Sequence, residues 1–286
     1  MQFWVVQTLN SLALGGLLFL LSSGFALIFG LMRIANLTHG ALFMIGAYVG
    51  ATVLRAGGSF LVAAIAAMVA VGVIGGLIER VILRRLSGNA QGQVLATLGL
   101  SFVAADLCLM IWGGDPLPLS APAMFRAPFS LLGVNFPTYR LVVLVISLVI
   151  GGLLYLLMER TRLGAMIRAS VDDMQMARAV GIPSSLIFTV VFCLGAMLAG
   201  LGGTIGGPIL NAYPGLDAEM LPLALIVVIL GGVGSLIGTF VASFIIGFVY
   251  SFGLALVPDL AYVVLFLPMV IVIAFRPAGL FGAVKT

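Results

Sequence analysis

The sequence predicts an all-α polytopic membrane protein of about eight or nine transmembrane helices, some of them broken or re-entrant. Three observations carry that expectation. Hydrophobic residues make up 63% of the chain and charged residues 8%, where soluble domains carry about 25% charged residues. Mean hydropathy is +1.30. Apolar runs of about 20 residues, the length that crosses a bilayer, recur from end to end between short, turn-rich loops. Their continuity excludes a transmembrane β-barrel, whose strands alternate. No polar stretch is long enough for a second domain, so residues 1–286 are expected to form one transmembrane domain in the lipid bilayer.

Taken in order, the expected spans are Leu9–Phe29, Leu37–Leu54, Phe60–Leu77, Val94–Trp112, Leu141–Met158, Leu186–Gly206, Leu223–Leu236, Gly238–Leu256 and Tyr262–Phe275. No positive charge precedes the first run and no small-residue cleavage site follows it, so it reads as a permanent helix and not a signal peptide. Cys108 and Cys193 fall inside spans and read as small apolar residues with no reason to pair. Asp115–Pro137 holds Pro116, Pro118, Pro122, Pro128 and Pro137, so a regular helix is excluded there; a connector and a lid remain open. Gly195, Gly200, Gly202, Gly203, Gly206 and Gly207 crowd the sixth span. Around Gly202–Pro208 a helix break is expected, and close helix packing elsewhere. The seventh span is short and runs into Gly231, Gly232, Gly234 and Gly238, as a half-helix would.

Between the fifth and sixth spans lies Glu159–Pro183, the longest polar passage in the chain. Ile167, Val171 and Met174 recur there at helical spacing, with Arg168, Asp172 and Gln175 on a neighbouring face. Gly181 and Pro183 supply a helix end. The passage predicts a surface helix of roughly three turns, suited to docking in a groove of another protein. Its mixed charges, with Asp172 and Asp173 inside, argue against a basic lipid-binding patch.

Arginines fix the sidedness. Arg80, Arg84 and Arg85 lie between spans three and four, and Arg160, Arg162, Arg168 and Arg178 between five and six. Arg276 and Lys285 follow the last span, and the positive-inside rule makes all of these cytoplasmic. Asp115–Pro137, Asn211–Glu219 and Asp259 then face the exterior. Arg33 and the break beside it leave the side of Met1 open. The formal net charge of +4 reads as this loop asymmetry; no basic soluble surface exists for nucleic acid.

The inventory of reactive groups is short. One histidine, no metal-ligand cluster and no nucleophile–base pair argue against an enzyme. A P-loop needs a lysine after a glycine-rich turn, and the sole lysine is Lys285, so any ATP is expected on another polypeptide. Asp106 is the one clear intramembrane carboxylate; an interhelical hydrogen bond and a place on a pathway both suit it. One carboxylate is thin support for ion coupling. Two interrupted segments, Asn36-Leu-Thr-His-Gly40 and Gly234-Ser-Leu-Ile-Gly238, echo one another ahead of apolar helices, the pattern that marks a transport pathway. Asn36, Thr38, His39, Gly40, Ser235, Gly238 and Thr239 are its candidates, with Thr204, Asn211 and Tyr213 further ones. His39 serves equally as a hydrogen-bonding residue at a helix break. Apart from Asp106 these groups are uncharged, which favours a small polar or zwitterionic solute over an inorganic ion.

Three passages resemble the permeases of branched-chain amino-acid ABC importers: Gly30–Tyr48 with its Asn36-x-x-His39-Gly40, Gly164-Ala-Met-Ile-Arg-Ala169 continuing to Asp173, Ala177 and Gly181, and Leu230–Thr239. The likeness spans nearly the whole chain in the right order, and the length suits the shorter of the two permeases in such systems. The resemblance implies an inner-membrane importer subunit that pairs with a second, homologous permease and two cytoplasmic ATP-binding subunits. An exterior (periplasmic) solute-binding protein would deliver the ligand. Arg168–Val180 would be the cytoplasmic coupling helix, with Arg168, Ala169, Asp172, Asp173, Ala177 and Gly181 meeting an ATPase. ATP and magnesium would sit on those partners, and no cofactor on this chain. Asp115, Asp217 and Glu219 would be candidates to meet the binding protein. Branched-chain amino acids are the expected cargo. The rival reading is a self-sufficient channel or secondary transporter for a small solute such as urea or an amide.

Overall fold

Apolar helices account for most of the computed structural model, which describes residues 2–32, 35–131 and 134–282. They are α1 (Gln2–Met32), α2 (His39–Arg55), α3 (Phe60–Val81), α4 (Ala90–Trp112), α5 (Thr138–Arg160), α6 (Arg162–Asp172), α7 (Met174–Ala179), α8 (Ser184–Leu210), α9 (Leu216–Gly231), α10 (Leu236–Leu256) and α11 (Ala261–Phe275). Six of them, α1, α3, α4, α5, α8 and α10, are long and apolar enough to cross a bilayer unaided. The others in the bundle, α2, α9 and α11, have 17, 16 and 15 residues. A helix of that length falls short of the hydrocarbon core's ~30 Å, and the breaks before α2 and after α9 supply the rest of the path.

α1 is the axis. Its Gly15 packs on Phe244 and Gly247, and its Gly30 on Gly234, so α10 runs antiparallel to it. Gly24 meets Gly195 and Leu17 meets Gly206, so α8 is antiparallel too. Gly16 against Ser147 and Phe19 against Gly151 make α5 parallel. In turn α3 lies antiparallel to α8, with Gly76 on Cys193 and the Thr189 hydroxyl donating to Glu79 at 2.6 Å. Small residues let these backbones approach closely, which is the main source of association between helices in lipid.

These directions bring Arg80, Arg84, Arg85, Arg160, Arg162, Arg168 and Arg178 to one end of the bundle, with α6 and α7. Arg276 joins them, because Leu280 and Phe281 bond back to the carbonyls of Leu230 and Gly231. That end is cytoplasmic by the positive-inside rule. The first turn of α1 lies at the opposite end, with the start of α5 and the ends of α8 and α10, so Gln2 is exterior. This settles the sidedness that the sequence left open. Arg33 and Lys285 lie outside the described residues.

Two expectations are corrected. α8 continues unbroken from Ser184 through Gly202–Pro208 to Leu210. A Cβ at Gly203 would strike the Phe43 carbonyl of α2, and one at Gly207 would strike Leu119, so these glycines serve packing and not a break. Pro208 forgoes the amide bond to the Thr204 carbonyl near the helix end, a loss that membrane helices tolerate where neighbouring groups satisfy the freed carbonyl. The seventh span begins at Leu216 instead of Leu223, which takes Asp217 and Glu219 out of the exterior loop and into the first turn of α9. There they favour the positive end of the helix dipole.

Among its described residues the proline-rich segment forms no α-helix, as expected. It contains a short 3-10 turn at Ala123–Phe125 and an antiparallel pair, β1 (Pro128–Leu131) with β2 (Val134–Pro137). Leu117 exchanges backbone hydrogen bonds with Ala212 at 2.7 and 3.0 Å, and buried Leu119 covers the end of α8. Cys108 and Cys193 are both free.

Candidate functional site

The break between α1 and α2 builds a buried polar knot. Asn36 Oδ1 accepts from the Thr38 amide at 3.2 Å, and the Asn36 carbonyl accepts from the His39 amide at 3.1 Å, which turns the chain into α2. Asparagine is suited to such a turn because its side chain mimics a backbone carbonyl. Thr38 Oγ1 donates to the Thr97 carbonyl at 3.0 Å, and the Leu37 amide donates to Thr97 Oγ1 at 3.3 Å, tying the break to α4. His39 is fully buried against Phe25, and its Nε2–H donates to the Leu21 carbonyl of α1 at 2.9 Å. Gly40 lies where a Cβ would strike the Asp217 carbonyl, bringing in α9. Ser101 Oγ donates to Asp217 Oδ2 at 3.4 Å and closes the set.

Asn36, Thr38, His39 and Gly40 are thus brought together, joined by Gln93, Thr97 and Ser101, which the sequence reading missed, and by Asp217, which it had placed in an exterior loop. Asp217, Thr97, Ser101 and Gln93 are all buried. Gln93, Thr97 and Ser101 recur every four residues on an apolar helix, and that polar stripe was the signal for them. Asn36 Nδ2, His39 Nδ1 and Gln93 Oε1 have no partner among the described residues, an expensive state for buried polar atoms. Such groups mark a place whose hydrogen bonding is completed in another arrangement or by another molecule.

The second break is a different locus. Ser235 caps α10 by accepting from the Gly238 amide at 3.0 Å, and Thr239 Oγ1 donates back to the Ser235 carbonyl at 2.8 Å. Gly238 faces the Gly231 carbonyl without room for a side chain. Ser235 lines a cytoplasmic groove of about 300 Å³ with Gly30, Gly234, Arg168 and Asp172. The two echoing segments therefore lie at different depths, one beside Leu21 and one at the Arg-rich end. Asp106 joins neither. It is exposed on α4 among Phe102, Val103, Leu107 and Met110, which are exposed as well, and the interhelical hydrogen bond that was one of its two open readings is absent among the described residues.

The surface passage is two helices and not one continuous helix over Arg168–Val180. Asp173 is extended and caps α7, its Oδ1 accepting from the Gln175 and Met176 amides at 2.9 and 3.0 Å. Thr161 caps α6 by accepting from the Gly164 amide at 3.1 Å, and Gly164 fits because a Cβ there would strike the Leu157 and Met158 carbonyls. Gly181, at φ +87°, ends α7 while the Ile182 amide returns to the Ala177 carbonyl at 3.0 Å. Ile167 is buried with Leu27, Leu31, Leu154 and Ile187, and Val171 and Met174 pack on that cluster, so the expected apolar face is the inner one. Ala177 is buried. Outward stand Ala169, Asp172, Asp173, Gly181 and two large apolar side chains, Met176 and Val180, at 61% and 70% exposure. Arg168 pairs with Glu159 at 3.5 Å.

Cavities indent the molecule from both ends. An exterior one of about 390 Å³ reaches Leu17, the cytoplasmic groove reaches Ala26, and the knot at Leu21 and His39 lies between. Helices broken at a polar centre, flanked by end cavities and carrying a capped helix pair on the Arg-rich face, define a multi-pass membrane permease.

Comparison with known proteins places it further. The chain belongs to the family described as branched-chain amino acid transport system / permease component, whose model matches residues 7–273. It is 27% identical to the high-affinity branched-chain amino acid transport system permease protein BraD of Pseudomonas aeruginosa, covering 98% of this chain and 96% of that protein. Identity to the corresponding permease LivH of Escherichia coli is 25%, with the same coverages. A more distant relative is the autoinducer 2 import system permease protein LsrC of Escherichia coli, 29% identical over 83% of this chain and 69% of that one. The fold is shared with a chain in the structure of PsaBC from Streptococcus pneumoniae in complex with Fab, at a TM-score of 0.51 and 12% identity over 93% of this chain and 89% of that chain. The protein is accordingly a multi-pass inner-membrane permease component.

Proposed function

We propose that this chain is the permease subunit of an ATP-driven importer, which moves a small zwitterionic solute, in the first place a branched-chain amino acid, into the cell. The observation that carries this reading is the α6–α7 pair. Its inner face is welded through Ile167 to α1, α5 and α8, while its outer face exposes Met176 and Val180 at the cytoplasmic end. Exposed apolar side chains on a capped surface helix suit a groove on a soluble partner. Closure of two ATPases would carry α6 with it and, through the cluster around Ile167, move α1 and α8 on either side of the knot. Arg168, Ala169, Asp172, Asp173, Ala177 and Gly181 build or present that coupling surface. Asn36, Thr38, His39, Gly40, Ser235, Gly238 and Thr239 belong to the two breaks that a change of access would rearrange.

A second permease fits the outer face of α4. A carboxylate facing hydrocarbon is costly, so Asp106 belongs against protein or a water-filled path and not lipid. A paired permease bearing a donor would provide either. ATP and magnesium would be held by the ATPases, and a solute-binding protein would dock on the exterior end.

The test is a mild-detergent purification of the tagged chain with identification of what accompanies it. A second permease and P-loop ATPases are expected. Met176→Asp with Val180→Asp should lose the ATPases and keep the permease. Recovery of this chain alone as a stable homo-oligomer would move the weight to a self-sufficient channel or secondary transporter.

A further inference from the structure

The exterior cavity has a composition that the knot and the coupling surface do not explain. It lies among the outer ends of α1, α5, α8, α9 and α10 and measures about 390 Å³, within the roughly 300–1,000 Å³ typical of small-molecule sites. Two opposite charges line it. Arg140, in the first turn of α5, is partly buried and donates through one guanidinium nitrogen to Asn10 Oδ1 of α1. Glu219, in the first turn of α9, accepts from the Tyr213 hydroxyl. The two face a common space yet form no ion pair, with each other or with any other described residue.

An arginine presents five donors in a planar fork, of which Asn10 engages part, so the geometry that takes a carboxylate remains available. The Glu219 carboxylate has acceptor capacity beyond the single Tyr213 hydroxyl. Unpaired charges of opposite sign across a partly apolar cavity create a field that a dipolar ligand satisfies and a singly charged one cannot. Leu14, Leu17, Ile209 and Leu210 form an aliphatic side of the wall toward the bundle, while Gln7, Tyr250 and Ser251 add polar groups elsewhere on it. Charge, counter-charge and an aliphatic wall match one chemical class.

We propose that this cavity is a receiving site for a free amino acid with an aliphatic side chain, in which Arg140 takes the carboxylate, Glu219 the ammonium and the leucine-lined wall the side chain. Asn10 is a positioning residue that aims the guanidinium. The site rests on the importer reading, because it places the cargo at the exterior mouth, in a cavity whose inner wall at Leu17 is one helical turn from Leu21 and the knot. Ligands lacking either charge leave one of the two groups, half-buried Arg140 or exposed Glu219, without its counter-charge and lose that charge-assisted hydrogen bond.

The experiment is direct binding to the full chain, with whatever subunits accompany it, in phosphatidylglycerol nanodiscs. The probes are L-leucine, isocaproate (no ammonium) and isoamylamine (no carboxylate). Leucine should bind more tightly than either analogue by about tenfold or more, the worth of one charge-assisted hydrogen bond. Glu219→Gln should erase the preference over isocaproate, and Arg140→Gln the preference over isoamylamine. A merely structural role would move neither ratio. The three-ligand comparison on the unaltered chain stands even where a variant fails to fold. Equal binding of all three, no leucine binding, or ratios unchanged by both substitutions would overturn the site. So would a stoichiometric phosphatidylethanolamine that co-purifies with the chain and is lost in Arg140→Gln, since its headgroup carries the same pair of charges. ATP-driven leucine uptake at unchanged KM in both variants would remove the site and leave the importer standing. Failure to recruit ATPases would instead remove the importer.

Discussion

Gly203 shows how much a single position carries. It sits where α8 crosses α2, so close that any Cβ would meet the Phe43 carbonyl, a backbone atom that cannot swing aside. Gly203→Ala should therefore force the helices apart at a cost of about 1–3 kcal/mol, as overpacking usually does. The measurement is the melting temperature of the purified protein in detergent, with Gly152→Ala as control because a Cβ there meets nothing. Equal melting of the two would refute the packing role. At this scale the sequence was half legible. His39, Asn36 and Thr38 stand out in it because polar residues beside an apolar run need partners. Asp217 does not, because nothing local tells whether a carboxylate after Gly215 stays in a loop or enters a helix that turns inward. Asp106 was legible as an oddity, but its outward direction depends on which face of α4 the other helices cover.

At the scale of elements, α6 and α7 divide the work of one expected helix. Asp173 interrupts the helix and caps the second piece, so Met174 is the first residue of α7. Proline is accepted at that position, and Met174→Pro would be a weak probe of coupling. Ile167 is the better lever. Truncating a buried isoleucine costs about 2–5 kcal/mol in a well-packed core, and here the loss falls on the seam between α6 and the bundle. Ile167→Ala should keep ATPases bound, because Met176 and Val180 are untouched, yet lower the solute transported per ATP hydrolysed in proteoliposomes. Unchanged stoichiometry would show that the seam transmits nothing. The amphipathic period of Ile167, Val171 and Met174 was readable in advance, since a 3.6-residue repeat is a local property. The interruption at Asp173 was not, because Asp also occurs inside helices and only the packing of Ala177 and Ile182 demands the turn.

Across the whole molecule, alternation of the helices places the start of α1 outside and the Arg-rich face inside. Single cysteines introduced into the chain freed of Cys108 and Cys193 check this. Gln2→Cys and Asp115→Cys should react with a membrane-impermeant maleimide in intact cells, and Arg84→Cys only after permeabilisation. Labelling of Gln2→Cys only after permeabilisation would invert α1 and break the antiparallel packing of α8 and α10 upon it.

By itself the sequence determined the class of fold, the approximate spans, the sidedness of the middle loops, the two breaks and the polar surface passage. Each follows from hydropathy, charge or turn chemistry read over a few neighbouring residues. Only the tertiary structure decided that Gly202–Pro208 is a packing surface, that Asp217 closes the knot, that the two breaks lie at different depths, and that Arg140 and Glu219 share one cavity. Those facts join residues scores of positions apart. Small residues let backbones meet in lipid without indicating which backbones will meet, so the partners are chosen by the packed bundle and not by any local pattern.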